Sequence, residues 1–240
     1  IDLIIVNFYP FEKTLEKTKN HEKIIENIDI GGPTLVRAAA KNYKDVAVVT
    51  HPNQYQNLID EIEKNKGSTS IKFKKKLSEK AFAFTADYDS KISNYFNYRL
   101  NNNFPEKKII HGNLVETLRY GENPHQEAAI YSINQNLKIF QLHGKKLSYN
   151  NYNDIFSALN LSKTLPKNIG TVIVKHANPC GVSINKNKVK SYKEAYACDP
   201  ISAFGGIVSC NFKVTNKLAI ELNKLFIEVI IGVGFEKGCA

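Results

Sequence analysis

Short apolar runs alternate with amphipathic segments along the first part of the chain, and this pattern predicts strands alternating with helices. Ile1–Asn7 and Val46–Thr50 have the apolar character of buried strands. Between them a helix is expected to begin near Pro33, because glycine followed by proline is a helix-start signal. Gln54–Asn65 is predicted as an amphipathic helix. Strand, helix, strand and helix in succession predict an α/β fold.

A longer helix is predicted over Lys72–Leu100, where apolar and aromatic residues recur at three- and four-residue steps. We interpret this aromatic stripe as core packing rather than a cofactor site. The polar stretch Asn101–Lys108, which contains Pro105, is the best candidate for a domain boundary. We therefore expect one domain over residues 1–105 and a second over residues 106–240.

The second half shows the same alternation. Two alternating stretches, Ala128–Ile133 and Lys138–Leu142, flank a polar turn and predict a β-hairpin. His176–Gly181 is expected to be a loop because it contains proline and glycine. The remaining helices and strands are predicted at Tyr152–Leu161, Thr171–Lys175, Tyr192–Ala197, Phe204–Ser209, Lys217–Lys224 and Phe226–Ile231.

Two polar tracts precede the predicted strand at Thr171. The first is Asp29 to Thr34, with Arg37 and Lys41 placed to share one helix face. Its two glycines and free backbone N–H groups suit an anionic or strongly polar ligand. From spacing alone, a capped helix with a solvated basic edge is the more common case. The second is Leu118–Gln126, whose Arg119 suits bidentate recognition of phosphate. An ion pair between Arg119 and a neighbouring glutamate is the alternative.

A third candidate lies where the predicted strand Thr171–Lys175 ends, a common position for ligand clefts in α/β proteins. Lys175 and His176 are adjacent there. An ammonium close to an imidazole disfavours a second positive charge, which leaves the histidine able to accept a proton. The same ammonium can stabilise an oxyanion. From spacing alone, a structural or solvent-facing Lys-His pair is the more common case.

Composition narrows the protein class. Hydrophobic residues make up 42% and charged residues 23%, as in soluble globular proteins. The net charge of +10 is densest over Lys64–Lys80 and fits a solvated surface, attraction of anionic substrates, or nucleic-acid binding. No signal peptide is expected, so we predict a cytoplasmic protein. The absence of methionine suggests a fragment that lacks its N-terminus.

The four cysteines, Cys180, Cys198, Cys210 and Cys239, are not spaced as a metal or disulfide framework, and we interpret them as reduced packing residues. We assign Cys180 no role as a nucleophile.

Six tracts together resemble one family. They are IDIGGPTLVRAAAKN, LRYGENPHQ, LSYNN, VKHANPCGV, DPISAFGGIVS and FIEVII. In this order they are similar to the motifs of the bifunctional purine biosynthesis family, which combines phosphoribosylaminoimidazolecarboxamide formyltransferase with inosine monophosphate (IMP) cyclohydrolase. The resemblance implies the C-terminal part of a three-layer cyclohydrolase domain over 1–105. Over 106–240 it implies the first part of a deaminase-like α/β transferase domain.

The resemblance also implies roles for individual residues. Lys41 matches the proton donor and acceptor of the cyclohydrolase, Lys175 the transition-state stabiliser of the transferase and His176 its proton acceptor. The matched substrate-contacting positions are Asn7, Asp29 and Ile30 in the cyclohydrolase, and Arg119, Tyr120, Asn151, Gly205 and Glu228 in the transferase.

The family further implies 10-formyltetrahydrofolate as cosubstrate, no metal needed for catalysis, and a homodimer with no nucleic-acid or membrane partner. It also implies phosphate-binding loops before Ile1 and a further half of the transferase domain after Ala240. Gly232-Val233-Gly234 stands where relatives usually have Ala-Pro-Gly. The competing hypothesis is a nonenzymatic remnant or a basic nucleic-acid-binding module.

Overall fold

In a computed structural model, the chain is a mixed α/β protein, described here over residues 1–133 and 137–239. It forms two compact units, Ile1–His111 and Gly112–Ala240. The division lies six residues after the boundary that the polar stretch around Pro105 suggests.

The first unit consists of short strands and helices. In chain order these are β1 (Leu3–Ile5), α1 (Phe11–Lys17), α2 (His21–Glu26), α3 (Gly31–Lys41), β2 (Ala47–Val49), a 3₁₀ turn (Pro52–Gln54), α4 (Tyr55–Lys64) and α5 (Ile71–Arg99). Every helix predicted in this half is present, and α5 matches the predicted aromatic-stripe helix to within one residue at each end.

The core of the first unit forms around a parallel pair of strands. β1 and β2 are in register, with Ile4 opposite Val48, and parallel strands require a long crossover connection, which the intervening helices supply here. β2 is fully buried, so it consists of apolar residues without alternation. The buried faces of α3 and α5 pack against it, which explains their Ala-rich inner positions at Ala39, Ala40 and Ala81.

The second unit contains two sheets and three helices among its described residues. In chain order its elements are β3 (Asn113–Thr117), β4 (Ala129–Ser132), α6 (Tyr149–Thr164), β5 (Gly170–Lys175), β6 (Asn178–Ile184), α7 (Lys188–Cys198), β7 (Ile207–Val214), α8 (Asn216–Leu222) and β8 (Val229–Phe235).

The main sheet of this unit has the strand order β6-β5-β7-β8. β5 runs antiparallel to both of its neighbours, whereas β7 and β8 are parallel and connected through α8. Alternate residues of β5 pack on opposite faces: Val172 and Val174 contact α6, and Ile173 packs with α7 and α8. Helices therefore cover both faces of the sheet.

The predicted loop after β5 is wrong. Only His176 and Ala177 form the connection, and β6 begins immediately at Asn178. Pro179 is tolerated because β6 is an edge strand, where a missing N–H group breaks no ladder hydrogen bond. The register shifts between Ile173 and Val174, which leaves Cys180 as the extra residue of a β-bulge.

The hairpin predicted from the alternating stretches is also wrong. β4 pairs antiparallel with β3, a strand that the sequence did not predict, and Lys138–Leu142 does not form a strand. Residues 134–136 of the predicted turn lie outside the described residues. The alternating pattern correctly predicted β4 as a strand, but the pattern alone does not identify the strand with which it pairs.

α7 packs closely against Gly181 of β6, so a substitution at this position tests that packing. A Cβ atom at this position would lie 1.8 Å from the backbone oxygen of Ala195 in α7, a contact that only backbone movement relieves. We expect Gly181→Ala to lower the free energy of unfolding by about 3 kcal/mol or more. Urea denaturation followed by circular dichroism measures this loss.

The matched control for this prediction is Gly234→Ala. The nearest atom to a Cβ there is Lys213 Cγ at 3.9 Å, an ordinary contact. We expect a change within about 0.5 kcal/mol, as for most surface substitutions. Equal denaturation midpoints for the two variants would show that α7 does not pack on β6 as described.

Candidate functional site

Candidate residues of the second unit meet at one edge of the main sheet. Because the sheet is mixed, β5 ends at this edge while β6, β7 and β8 begin there. Lys175 is the last residue of β5, Gly205 lies two residues before β7, and Glu228 directly precedes β8. Three residues that are distant in sequence are thus placed side by side by the strand order.

Lys175 is fixed by contacts with the two other residues. Its Nζ donates a hydrogen bond to the backbone oxygen of Gly205 at 2.5 Å and lies 4.0 Å from a carboxylate oxygen of Glu228. Gly205 has φ +67°, and a Cβ there would lie 3.0 Å from the Lys175 Nζ. Glycine is therefore suited to this position for two reasons. It adopts a positive φ without strain, and it leaves room for the ammonium group of Lys175.

Asn151 joins this network from the first turn of α6. Its Nδ2 donates to Glu228 Oε2 at 2.6 Å, while its Oδ1 accepts from the backbone N–H of Ser148 at 3.0 Å. Ser148 in turn accepts from the Asn151 backbone N–H, so the two residues form a capping box. The helix cap thereby orients the amide that contacts Glu228.

His176 lies beside this network at the turn between β5 and β6, and its side chain is exposed. Within residues 1–133 and 137–239, the imidazole has no hydrogen-bond or ion-pair partner. His176 and Ala177 both have positive φ, +53° and +59°, which is the geometry of a type I′ hairpin turn. Residues other than glycine are uncommon in this conformation, although histidine is among the types that tolerate it best, and such positions concentrate at functional sites.

Two residues of α6 that the sequence reasoning missed hold this turn. Asp154 Oδ1 accepts from the backbone N–H of Ala177 at 2.6 Å, and Ser157 Oγ donates to the Ala177 oxygen at 2.6 Å. The signal available in the sequence was a carboxylate at an inward position of an amphipathic helix, next to Ile155.

The tract with Arg119 forms an irregular loop near the start of α6. Asn150 Nδ2 donates to the backbone oxygen of Glu122 at 3.3 Å, which ties the loop to the helix that carries Asn151. The guanidinium of Arg119 lies 5.5 Å from the ring centre of Tyr120, a cation–π contact. No ion pair of Arg119 occurs among the described residues, so the alternative pairing with a neighbouring glutamate is not formed.

Glu116, one of those glutamates, instead accepts from the Tyr152 hydroxyl at 3.1 Å. Burial, reinforced by Glu116, raises the pKa of Tyr152 to about 12, so its hydroxyl stays protonated as a donor. Burial likewise raises the pKa of the Cys180 thiol. Because the thiolate is the nucleophilic form, this environment gives Cys180 no advantage as a nucleophile.

In the first unit, two candidates lie near the ends of the parallel strands. Asn7 follows β1 and donates through Nδ2 to the hydroxyl of Tyr55 at 3.1 Å. The Asp29 carboxylate accepts from the backbone N–H groups of Gly32 at 2.7 Å and Tyr9 at 3.2 Å. It therefore joins the segment after β1 to the start of α3. The carboxyl ends of parallel strands are the usual position for a ligand.

The remaining candidates of this unit lie at opposite ends of α3. Ile30 directly precedes the helix and is exposed, whereas Lys41 is its last residue, about 16 Å away along the axis at 1.5 Å per residue. Thr34, Arg37 and Lys41 are all exposed, as a shared face requires. The Gly32 N–H donates to Asp29, whereas the N-cap residue Ile30 makes no side-chain hydrogen bond to the helix start.

Other features of the described residues lie outside these two groups. A cavity of about 300 Å³ lies between α4 and α5, and no predicted site residue lines it. In the ranges 1–133 and 137–239, no helix has both the length and the apolar character needed to cross a bilayer. Over the same part of the chain, His, Cys, Asp and Glu side chains form no cluster of three or more suited to a metal ion.

Two known proteins to which the chain is similar have the same description. The chain is 48% identical over 237 residues to the bifunctional purine biosynthesis protein PurH of Bradyrhizobium diazoefficiens, covering 96% of this chain and 45% of that protein. The PurH of Persephonella marina is 46% identical over 245 residues, covering 99% and 47%. The chain thus spans about half the length of the curated relatives it matches.

Among solved structures, a chain from "Crystal structure of ForH" is 30% identical and covers 40% of this chain and 50% of its own, with a TM-score of 0.33, which is too low to support a structural argument. The sequence model of the AICARFT/IMPCHase bienzyme family matches residues 39–240. Since this match includes most of the chain, the protein belongs to the AICARFT/IMPCHase bienzyme family.

Proposed function

We propose that the natural gene product carries out the last two steps of purine nucleotide synthesis. In the first step, the 5-amino group of aminoimidazolecarboxamide ribonucleotide takes the formyl group of 10-formyltetrahydrofolate. In the second, the formylated product closes to IMP with loss of water. The observation that carries the proposal is the linked group Lys175, Gly205, Glu228 and Asn151 beside the exposed imidazole of His176.

His176 is the proposed proton acceptor for formyl transfer. The 5-amino group is a weak nucleophile because its lone pair is delocalised, so its proton must leave as the bond to the formyl carbon forms. A base for this step needs an imidazole nitrogen that is not already occupied. His176 fits because its side chain is exposed and has no partner within the described ranges.

Lys175 is proposed to stabilise the negative charge that develops on the formyl oxygen during attack. Such stabilisation is effective when the charged group is already fixed before the reaction. The hydrogen bond from Lys175 to Gly205 and the nearby Glu228 carboxylate supply this fixation. An ammonium also has three donors, so one bond to Gly205 leaves others for a substrate oxygen.

Arg119, Tyr120, Asn151, Gly205 and Glu228 are proposed to hold the aminoimidazole nucleotide. Arg119 is exposed and packs against Tyr120 without an ion-pair partner among the described residues, which leaves its guanidinium donors for a phosphate. Glu228 is half exposed and already oriented by Asn151, so its carboxylate can accept from a substrate N–H group.

For ring closure, we propose that Asn7, Asp29 and Ile30 contact the base and that Lys41 moves the protons. The carboxamide nitrogen attacks the new formyl group, and water leaves. Asp29 uses one bond from each carboxylate oxygen within the protein, and a carboxylate has about four acceptor positions in total, so it keeps capacity for a carboxamide. Because helical Cα–Cβ bonds tilt toward the N-terminus, the Lys41 side chain leaves the opposite end of α3 in the general direction of Asp29.

We further propose, from the family, that the first unit belongs to a three-layer cyclohydrolase domain and the second to a deaminase-like α/β transferase domain. The helices on both faces of the main sheet support the second assignment. The natural protein would act as a cytoplasmic homodimer on nucleotide and folate substrates, without a catalytic metal.

A substitution at Lys41 separates the two activities. In the natural gene product, we expect Lys41→Met to lower the cyclisation rate at least about tenfold, because methionine keeps the apolar stem but cannot transfer a proton. Formyl transfer is expected to change by less than about twofold, since its proposed residues lie in the other compact unit. The two rates are measured separately, with the formylated nucleotide as substrate for ring closure.

The exposed Lys44, which lies just after α3, provides the control variant Lys44→Met. Both rates are expected to remain normal in this variant. Equal losses of the two activities in Lys41→Met, or an equal effect of Lys44→Met, would contradict the proposed role of Lys41. A protein without either activity that binds RNA with a steep salt dependence would instead support the nucleic-acid-binding alternative.

A further inference from the structure

The turn that presents His176 has an unfavourable backbone conformation for its sequence. Two-residue turns with positive φ at both positions favour Asn-Gly or Asp-Gly, because other side chains crowd the backbone in the left-handed region. Here His176 and Ala177 have φ of +53° and +59°. The surrounding structure must therefore hold the turn in place.

Two side chains on one face of α6 hold both backbone groups of Ala177. Asp154 accepts its N–H, and Ser157 donates to its oxygen, each at 2.6 Å. Residues three apart share a helix face, so one rigid element makes both contacts. The helix itself is anchored to the sheet by Ile155 and Ala158, which are buried in the core. We call the paired contacts of Asp154 and Ser157 the turn clamp.

The side chain of Asp154 is directed at the turn rather than at solvent. Asp154 is only 9% exposed, and no ion pair of its side chain occurs in the described ranges. Its recorded hydrogen-bond partner is the Ala177 N–H, and buried polar groups are placed where they are hydrogen-bonded. A buried, hydrogen-bonded carboxylate that fixes an uncommon backbone geometry next to an exposed imidazole indicates a role in orienting that imidazole.

We propose that Asp154, together with Ser157, is a positioning residue for formyl transfer that holds the His176–Ala177 turn so that the imidazole meets the attacking amine. This inference rests on the proposed function of His176 as the proton acceptor. Asp154 touches no reacting atom in this scheme. Its contribution passes entirely through the placement of His176.

The test compares steady-state formyl transfer in variants of the natural gene product. Asp154→Ala is expected to lower kcat on the order of tenfold to a hundredfold, because small displacements of a catalytic group have effects of this size. KM for the nucleotide is expected to change by less than about threefold, since Arg119 and Tyr120 are untouched. Asp154→Asn is expected to keep kcat within about threefold of the wild type, because its amide oxygen can accept the Ala177 N–H.

A double variant separates positioning from a general structural effect. If Asp154 acts through His176, Asp154→Ala adds no further loss in a His176→Ala background. Ala177→Gly is expected to recover part of the kcat lost in Asp154→Ala, because glycine adopts positive φ without help from the clamp. If Asp154→Ala alone does not fold, Ser157→Ala, which removes the other half of the clamp, is measured in the same way in both backgrounds.

The outcomes distinguish this inference from the proposed function. A folded Asp154→Ala variant with kcat within about threefold of the wild type, or a loss in Asp154→Ala that multiplies with that of His176→Ala, would overturn the positioning role. If His176→Ala is itself nearly as active as the wild type, the assignment of His176 as the base fails as well. If His176→Ala is inactive while the Asp154 and Ser157 variants are normal, only the clamp fails.

Discussion

His176→Ala in the natural gene product is expected to lower the rate of formyl transfer at least about a hundredfold, the usual scale for removing a general base. The imidazole is exposed, without a partner among the described residues, so its removal breaks no recorded contact within the fold. Alanine tolerates φ +53° less well than histidine, so the free energy of unfolding is expected to fall by about 1 kcal/mol. The loss of rate is therefore expected in kcat, in a protein that remains folded under assay conditions.

His143→Ala provides a matched control. His143 is an exposed histidine of the same unit, and its recorded hydrogen bond uses the backbone oxygen rather than the ring. Its substitution is expected to leave formyl transfer unchanged. Near-normal turnover in His176→Ala would remove this residue from the mechanism. A natural gene product that shows no formyl transfer even with His176 in place would instead favour the hypothesis of a nonenzymatic remnant.

Lys175→Met is expected to reduce kcat and kcat/KM for formyl transfer equally, by a factor of about 10² to 10³, as for loss of one oxyanion-stabilising group. Methionine retains much of the apolar stem and removes the charge. Glu228 loses a contact at 4.0 Å, but it is 42% exposed and still bonded to Asn151. The stability change from that ion pair is expected to be small.

Lys190→Met is the control for the Lys175 substitution. Lys190 pairs with Glu194 at 3.8 Å, so its replacement also removes one lysine–glutamate ion pair from the same unit. Formyl transfer is expected to be unaffected. If Lys175→Met instead raises KM while kcat stays constant, Lys175 binds the ground state, and its assignment as a transition-state stabiliser is incorrect.

The sequence predicted best where the pattern was long and locally determined. α5 extends over about eight turns and its aromatic stripe runs along most of that length, so its ends were predicted to within one residue. β5 was equally clear, because β-branched residues fill a strand buried on both faces. The tract that contains Lys175 and His176 could be placed at a strand end for the same reason.

The errors came from information that is not local. Pro179 and Gly181 suggested a loop, yet proline fits an edge strand and this glycine serves the close approach of α7. The pairing of β3 with β4 depends on a partner that periodicity does not identify. Asp154 was missed because its contact with Ala177 spans 23 residues of sequence. Contacts across such separations depend on the whole fold.

His176 and Ala177, the two residues with positive φ after β5, are favourable for the proposed activity but unfavourable for stability. The two demands conflict at His176. A chain selected only for thermal resistance would favour Asn-Gly there, because that pair forms a type I′ turn with less strain. Directed evolution of heat-tolerant forms, without a screen for turnover, is therefore expected to accumulate changes at His176 early and to produce robust but inert proteins.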